Sequence, residues 1–79
     1  MEKIRVYSSD YCPYCVSAKR LLQREKLDFE EINLSRDPDL RMKLSEETGW
    51  RTVPMIFIGE KFIGGFDELN KLYRSGGLK

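Results

Sequence analysis

Cys12 and Cys15 are the residues of this chain best able to do covalent chemistry. They stand in Tyr11-Cys12-Pro13-Tyr14-Cys15, and they are the only cysteines of a 79-residue sequence that contains no histidine. A disulfide between them would close a very short loop. The chain-entropy estimate for such a loop is roughly 2 kcal/mol, against about 3 for a 15-residue loop. A staple so placed does little for a fold, and the spacing points instead to chemistry. Two inert buried thiols are disfavoured by position, because Cys12 follows the polar run Ser8-Ser9-Asp10. Structural zinc wants four ligands, usually a second CxxC or two His. With neither present, no metal site is expected in a single chain, and a cluster shared by Cys12 of two chains is the remaining metal reading.

The two thiols are not equivalent. Pro13 suits the first position of a helix, where its missing N–H is no loss, and this puts Cys12 at the N-cap. A cap side chain accepts a bond from a backbone N–H two or three residues on, which cysteine does well only as a thiolate. Those N–H groups and the positive end of the helix dipole should lower the Cys12 pKa below its free value of about 8.5. The thiolate is the attacking species in disulfide exchange. Cys15 sits one turn in, on the face shared with Ala18 and Leu22, where burial favours the neutral thiol. Cys12 is therefore expected to attack and Cys15 to resolve, with Tyr11 and Tyr14 flanking them as an aromatic surface for a peptide-like substrate.

Two distant segments hold further candidates. Thr52-Val53-Pro54 opens the most strand-like run, Val53 to Ile58. A proline there is either a deliberate cis feature or a trans residue that marks a strand edge. In Gly64-Gly65-Phe66-Asp67-Glu68-Leu69, two glycines permit a sharp turn, and the following helix start offers free N–H groups to an anion. Asp67 fits either as the N-cap or as a partner for a substrate amine. Arg51 suits a carboxylate, or is simply a solvated surface cation.

The elements that must position these residues follow from the pattern. Ile4-Arg5-Val6-Tyr7 reads as a strand, Pro13 to about Lys26 as a helix, and Asp28 to Asn33 as a weaker strand. Asp37-Pro38 opens a second helix carrying Leu40 and Leu44, which Gly49 closes. Val53 to Ile58 pairs through a Gly59-Glu60 turn with Lys61-Phe62-Ile63. A third helix runs from about Asp67 to Arg74, ended by Gly76-Gly77. The order β-α-β-α-β-β-α, with a right-handed crossover between the first two strands, gives an α/β protein: a four-stranded mixed sheet with three helices, the thioredoxin-like arrangement. Residues 1–79 form one domain, with no room for a second core.

Composition excludes several classes. Fourteen Lys and Arg stand against thirteen Asp and Glu, so no basic excess calls for nucleic acid. No apolar leader follows Met1-Glu2-Lys3, and no stretch approaches the roughly 20 residues of a membrane span. A cytoplasmic location is expected, and there a CxxC pair is more often redox or metal-binding than structural.

Cys12-Pro13-Tyr14-Cys15, Arg51-Thr52-Val53-Pro54 followed by Ile56-Phe57-Ile58, and Gly64-Gly65-Phe66-Asp67 together resemble a class I dithiol glutaredoxin of the short bacterial type. The resemblance runs from the first strand to Gly76-Gly77-Leu78. It implies a monomer that reduces protein disulfides and glutathione mixed disulfides. Glutathione is then the co-substrate, no cofactor is bound, and ribonucleotide reductase is one implied electron acceptor. It implies a cis Pro54, with Val53 pairing by its backbone with the glutathione cysteine. Gly65, Phe66 and Asp67 would hold the γ-glutamyl end, Tyr14 would lie along the tripeptide, and Thr52 and Arg51 would complete the site. Many glutaredoxins carry a lysine three residues before the first cysteine; here the position is Ser9. That loss should weaken carboxylate binding and raise the Cys12 pKa, with Lys19, on roughly the same helical face, placed to compensate. Two other readings stand beside this one: a carrier holding an iron–sulfur cluster between two chains, against which Pro13 argues, and a redoxin reduced by thioredoxin reductase.

Overall fold

The computed structural model describes residues 3–77; Met1, Glu2, Leu78 and Lys79, at the limits of the expected 1–79 domain, lie outside them. The elements are β1 (Ile4–Ser8), α1 (Pro13–Arg24), β2 (Phe29–Asn33), α2 (Pro38–Thr48), β3 (Met55–Ile58), β4 (Lys61–Gly64) and α3 (Phe66–Arg74). The sheet order is β2-β1-β3-β4. β1 and β2 are parallel, Ile4 opposite Phe29, whereas β3 is antiparallel to both β1 and β4. This is the four-stranded mixed sheet with three helices that the element order implied.

Strand alternation sends side chains to two cores. Ile4 and Val6 of β1 and Ile56 of β3 pack against Ala18, Leu21 and Leu22 of α1 and Leu69 of α3. Tyr7 and Met55, one residue along their strands, face the other way and meet Leu34 and Leu44, with Leu40, Trp50, Phe57 and Phe62 around them. The period-2 geometry of a strand makes this division unavoidable. Ala18 is fully buried, and its small side chain lets α1 lie close on the sheet.

β1, β2 and β4 each differ from the pattern by one residue at one end, and three further boundaries differ for a visible local reason. α1 ends at Arg24 because Lys26 turns left-handed (φ 58°). The Leu27 N–H then donates to the Leu22 carbonyl at 2.9 Å, satisfying a terminal acceptor. β3 starts at Met55, which pairs with Tyr7, so Thr52, Val53 and Pro54 form a bend before it instead of its first residues. Pro54 has no N–H to offer a ladder. α3 starts one residue early, at Phe66, with Gly65 as its N-cap. Asp67 is thus inside the helix and is not its cap.

Candidate active site

The β1–α1 junction builds the reactive end. Tyr11 adopts φ 55° and Cys12 is extended (φ −114°, ψ 99°), so the chain turns sharply into α1 with Cys12 as N-cap. The Cys15 N–H donates to Cys12 Sγ at 3.1 Å, and the Val16 N–H to the Cys12 carbonyl at 3.1 Å. The predicted cap bond is in place. Cys12 is half-buried and disulfide-bonded to Cys15, which is 1 % exposed beside Ala18 and Leu22. One sulfur faces outward at a helix start and the other faces the core. In that geometry the outer sulfur is the one an external thiol can reach.

Cys12 Sγ also lies 3.8 Å from the Val53 carbonyl. In the disulfide form this sulfur has no proton to donate, so the approach places the 52–54 bend beside the cysteine without bonding to it. The Val53–Pro54 peptide is cis. Tyr14 and Phe66 stack across the gap between α1 and α3, ring centres 6.3 Å apart and planes 29° apart. Between them opens a depression of about 260 Å³ lined by Tyr14, Thr52, Val53, Pro54, Gly65, Phe66 and Asp67. Seven of the predicted binding residues are brought together there.

Arg51 is not. It is exposed and absent from the lining, and no described residue bonds to its guanidinium. The position suits the solvated-cation reading. Two lining residues were not foreseen, Trp50 and Glu68. Glu68 Oε1 accepts from the Gly65 N–H at 2.9 Å, half of a capping box, for which an acid three residues after the cap is the signature. Gly65 therefore contributes its lack of a side chain and not a free donor: a Cβ there would sit 3.4 Å from the Pro54 carbonyl oxygen. The N–H groups of Phe66, Asp67 and Glu68 are the ones left for an anion. Trp50 is the only tryptophan of the sequence, directly after the left-handed cap Gly49 (φ 73°) that turns the chain away from α2.

On the other side of Cys12 a second depression, about 560 Å³, is lined by Ser9, Asp10, Tyr11, Cys15, Val16, Lys19 and Glu31 among others. Lys19 does reach this face, yet its ammonium is 2.8 Å from Glu31 Oε2, which also accepts from Ser8 Oγ at 2.7 Å. The Lys19 bond, then that from Ser8, holds the Glu31 carboxyl below its usual range. Lys19 is thus offset by a neighbouring carboxylate and does not replace the lysine missing at Ser9. A larger depression of about 690 Å³ between β4 and α3 touches neither cysteine, so reactive groups and not size select the site. Among the described residues there is no group of three or more His, Cys, Asp or Glu arranged to hold a metal, and no helix is long and apolar enough to cross a membrane.

Comparison with known proteins agrees with this geometry. The model of the Glutaredoxin family matches residues 4–63. A glutaredoxin of Pseudomonas aeruginosa is 46% identical over 78 residues, 99% of this chain and 93% of that protein. One of Neisseria meningitidis is 39% identical over 79 residues, again 99% and 93%. Among solved structures, a buckwheat glutaredoxin–glutathione complex superposes with a TM-score of 0.89 at 37% identity, covering 95% of this chain and 71% of that one. The solution structure of a Brucella melitensis glutaredoxin gives 0.86 at 42% identity, covering 99% and 85%.

Proposed function

The chain belongs to the glutaredoxin family, and on that premise we propose that Cys12 and Cys15 carry a glutathione-dependent reduction of protein disulfides and glutathione mixed disulfides. The Cys12 thiolate attacks one sulfur of a protein disulfide; a new S–S bond forms, the old one breaks, and the departing thiolate takes a proton from solvent. Cys15 then attacks Cys12 Sγ, releasing the second substrate thiol and leaving the Cys12–Cys15 disulfide. One glutathione opens that disulfide at Cys12, and a second removes the first as oxidised glutathione, which returns both thiols. On a glutathionylated protein, Cys12 attacks the glutathione sulfur and the protein thiol leaves, so Cys15 is not required.

The observation that carries this reading is the position of Cys12 Sγ. It accepts the Cys15 N–H at 3.1 Å, which stabilises a thiolate. It also stands beside a depression whose groups complement glutathione: N–H groups at the start of α3 and the Asp67 carboxylate, for a ligand with two carboxylates and one ammonium. The buckwheat neighbour is itself a glutathione complex. Val53 beside the sulfur suits a backbone partner for the glutathione cysteine, and Tyr14 and Thr52 suit the tripeptide's flank. On the same reading residues 1–79 act as one domain, a cytoplasmic monomer without a bound cofactor, and ribonucleotide reductase is one electron acceptor.

A coupled assay with glutathione and glutathione reductase tests the assignment. Cys12→Ser should abolish turnover of every substrate. Cys15→Ser should keep the mixed-disulfide reaction and lose protein-disulfide reduction. Equal loss of the mixed-disulfide reaction in both variants would refute the division of roles, and turnover supported only by thioredoxin reductase would refute the reductant.

A further inference from the structure

Trp50 is half-buried in the wall of the depression beside Cys12, with its ring edge-on to Phe62 at 5.7 Å. Its indole Nε1 is sealed from solvent and has no hydrogen-bond partner, the only such buried side-chain atom among the described residues. A buried donor left unpaired forfeits the hydrogen bonds it made to water, and native folds rarely carry one without a reason. The neighbourhood says which reason applies. Trp50 Cζ2, two covalent bonds from Nε1 on the same ring edge, would lie 3.5 Å from a Cβ at Gly65. This edge therefore borders the start of α3, where the Gly65 N–H is already taken by Glu68 Oε1. The remaining donors of that corner are the Phe66, Asp67 and Glu68 N–H groups and the indole.

We propose that Trp50 is a binding residue for the γ-glutamyl end of glutathione: its Nε1–H donates to the α-carboxylate that seats at the start of α3. The proposal rests on the glutathione reading of this site and adds to it a donor from outside the three recognised motif segments. A small turn of the half-buried ring presents the N–H as the carboxylate arrives, so the donor is unpaired in the free protein and paired in the complex. The α-ammonium then falls to Asp67, which is exposed at the rim. A donor to an ionised acceptor contributes more than a neutral pair, and one tenfold step in affinity corresponds to about 1.4 kcal/mol.

The test is Trp50→Phe, which keeps an aromatic ring and removes the indole N–H together with part of the bicycle. Removing the orphan donor relieves an unpaired N–H, but the smaller ring also gives up packing, so a modest fall in melting temperature is compatible with the proposal and the binding readouts decide it. The KM for glutathione should rise about tenfold with kcat unchanged. With 4-aminobutyryl-cysteinyl-glycine, which lacks the α-carboxylate, wild type and Trp50→Phe should have the same KM, because the acceptor is gone; this ligand–protein cycle isolates the pair. An unchanged KM for glutathione in the variant overturns the proposal, and so does a KM rise of equal size with the truncated tripeptide. Wild type that fails to saturate with glutathione at all would instead overturn the underlying assignment, a different and separable result.

Discussion

Substituting Glu31 should change the acidity of a cysteine it does not touch. Glu31 Oε2 neutralises Lys19 at 2.8 Å, and both line the depression next to Cys12. In Glu31→Gln the amide oxygen can still accept from Ser8 Oγ, but the net charge of the pair goes from zero to plus one. Lys19 is seven residues after Cys12, about 10 Å along the helix at 1.5 Å per residue, and its side chain leans back toward the N-terminus. At about 8 Å a unit charge in water contributes about 0.5 kcal/mol, or roughly 0.4 of a pKa unit. The depression is open to solvent, and salt screens over about 8 Å, so the Cys12 pKa should fall by at most roughly 0.4 unit, and by most at low ionic strength. Lys19→Met leaves the carboxylate alone and should raise it by a similar amount. The rate of alkylation by iodoacetamide, followed against pH on the reduced protein, reads the thiolate directly. Shifts of the same sign in the two variants, or none in either, would refute the claim that this pair sets the charge beside Cys12. Because the pair is partly exposed, its loss should cost less than about 1 kcal/mol of stability, which keeps both variants folded for the measurement.

The same carboxylate gives a pH signature. Its folded pKa lies below the reference of 4.5, so its contribution is fully present above that value and is lost as pH falls through the lowered folded value. Acid melts should show wild type losing stability over that range while Glu31→Gln loses less. At the start of α3, Gly64→Ala should destabilise by roughly 1–3 kcal/mol, since Gly64 has φ 117° and a Cβ there would meet the Glu68 side chain at 2.7 Å; urea titration checks this, and an unchanged midpoint would refute it.

Much of the site was legible because each motif has a local physical cause. Pro13 can only start a helix comfortably, and that alone fixes Cys12 as cap and Cys15 as the inward residue. Asp37 and Gly49 announced the ends of α2 in the same way, Asp37 Oδ1 accepting the Leu40 N–H at 3.1 Å. What stayed hidden depended on contacts between elements. Lys19 looked free until β2 brought Glu31 beside it, a pairing across twelve residues that no helical periodicity reports. Glu68 stands three residues after Gly65, the spacing of a capping box, but that signature is visible only once the cap is placed at Gly65, and the sequence pattern started the helix at Asp67. Trp50 carried no motif, and only its packing on Phe62 turns it toward the depression.

The position of Trp50 has an optical consequence. With one indole in the whole sequence, essentially all long-wavelength ultraviolet emission of this protein originates in the wall of a single depression. From that indole a run of rings, Phe62, Phe57 and Tyr7, spaced 5.7, 5.2 and 5.5 Å, continues through a single core on one face of the sheet. Unlabelled protein in a stopped-flow instrument therefore reports arrival and departure at the substrate corner without averaging over other chromophores of its class. The binding step can be timed separately from the sulfur exchange that follows it.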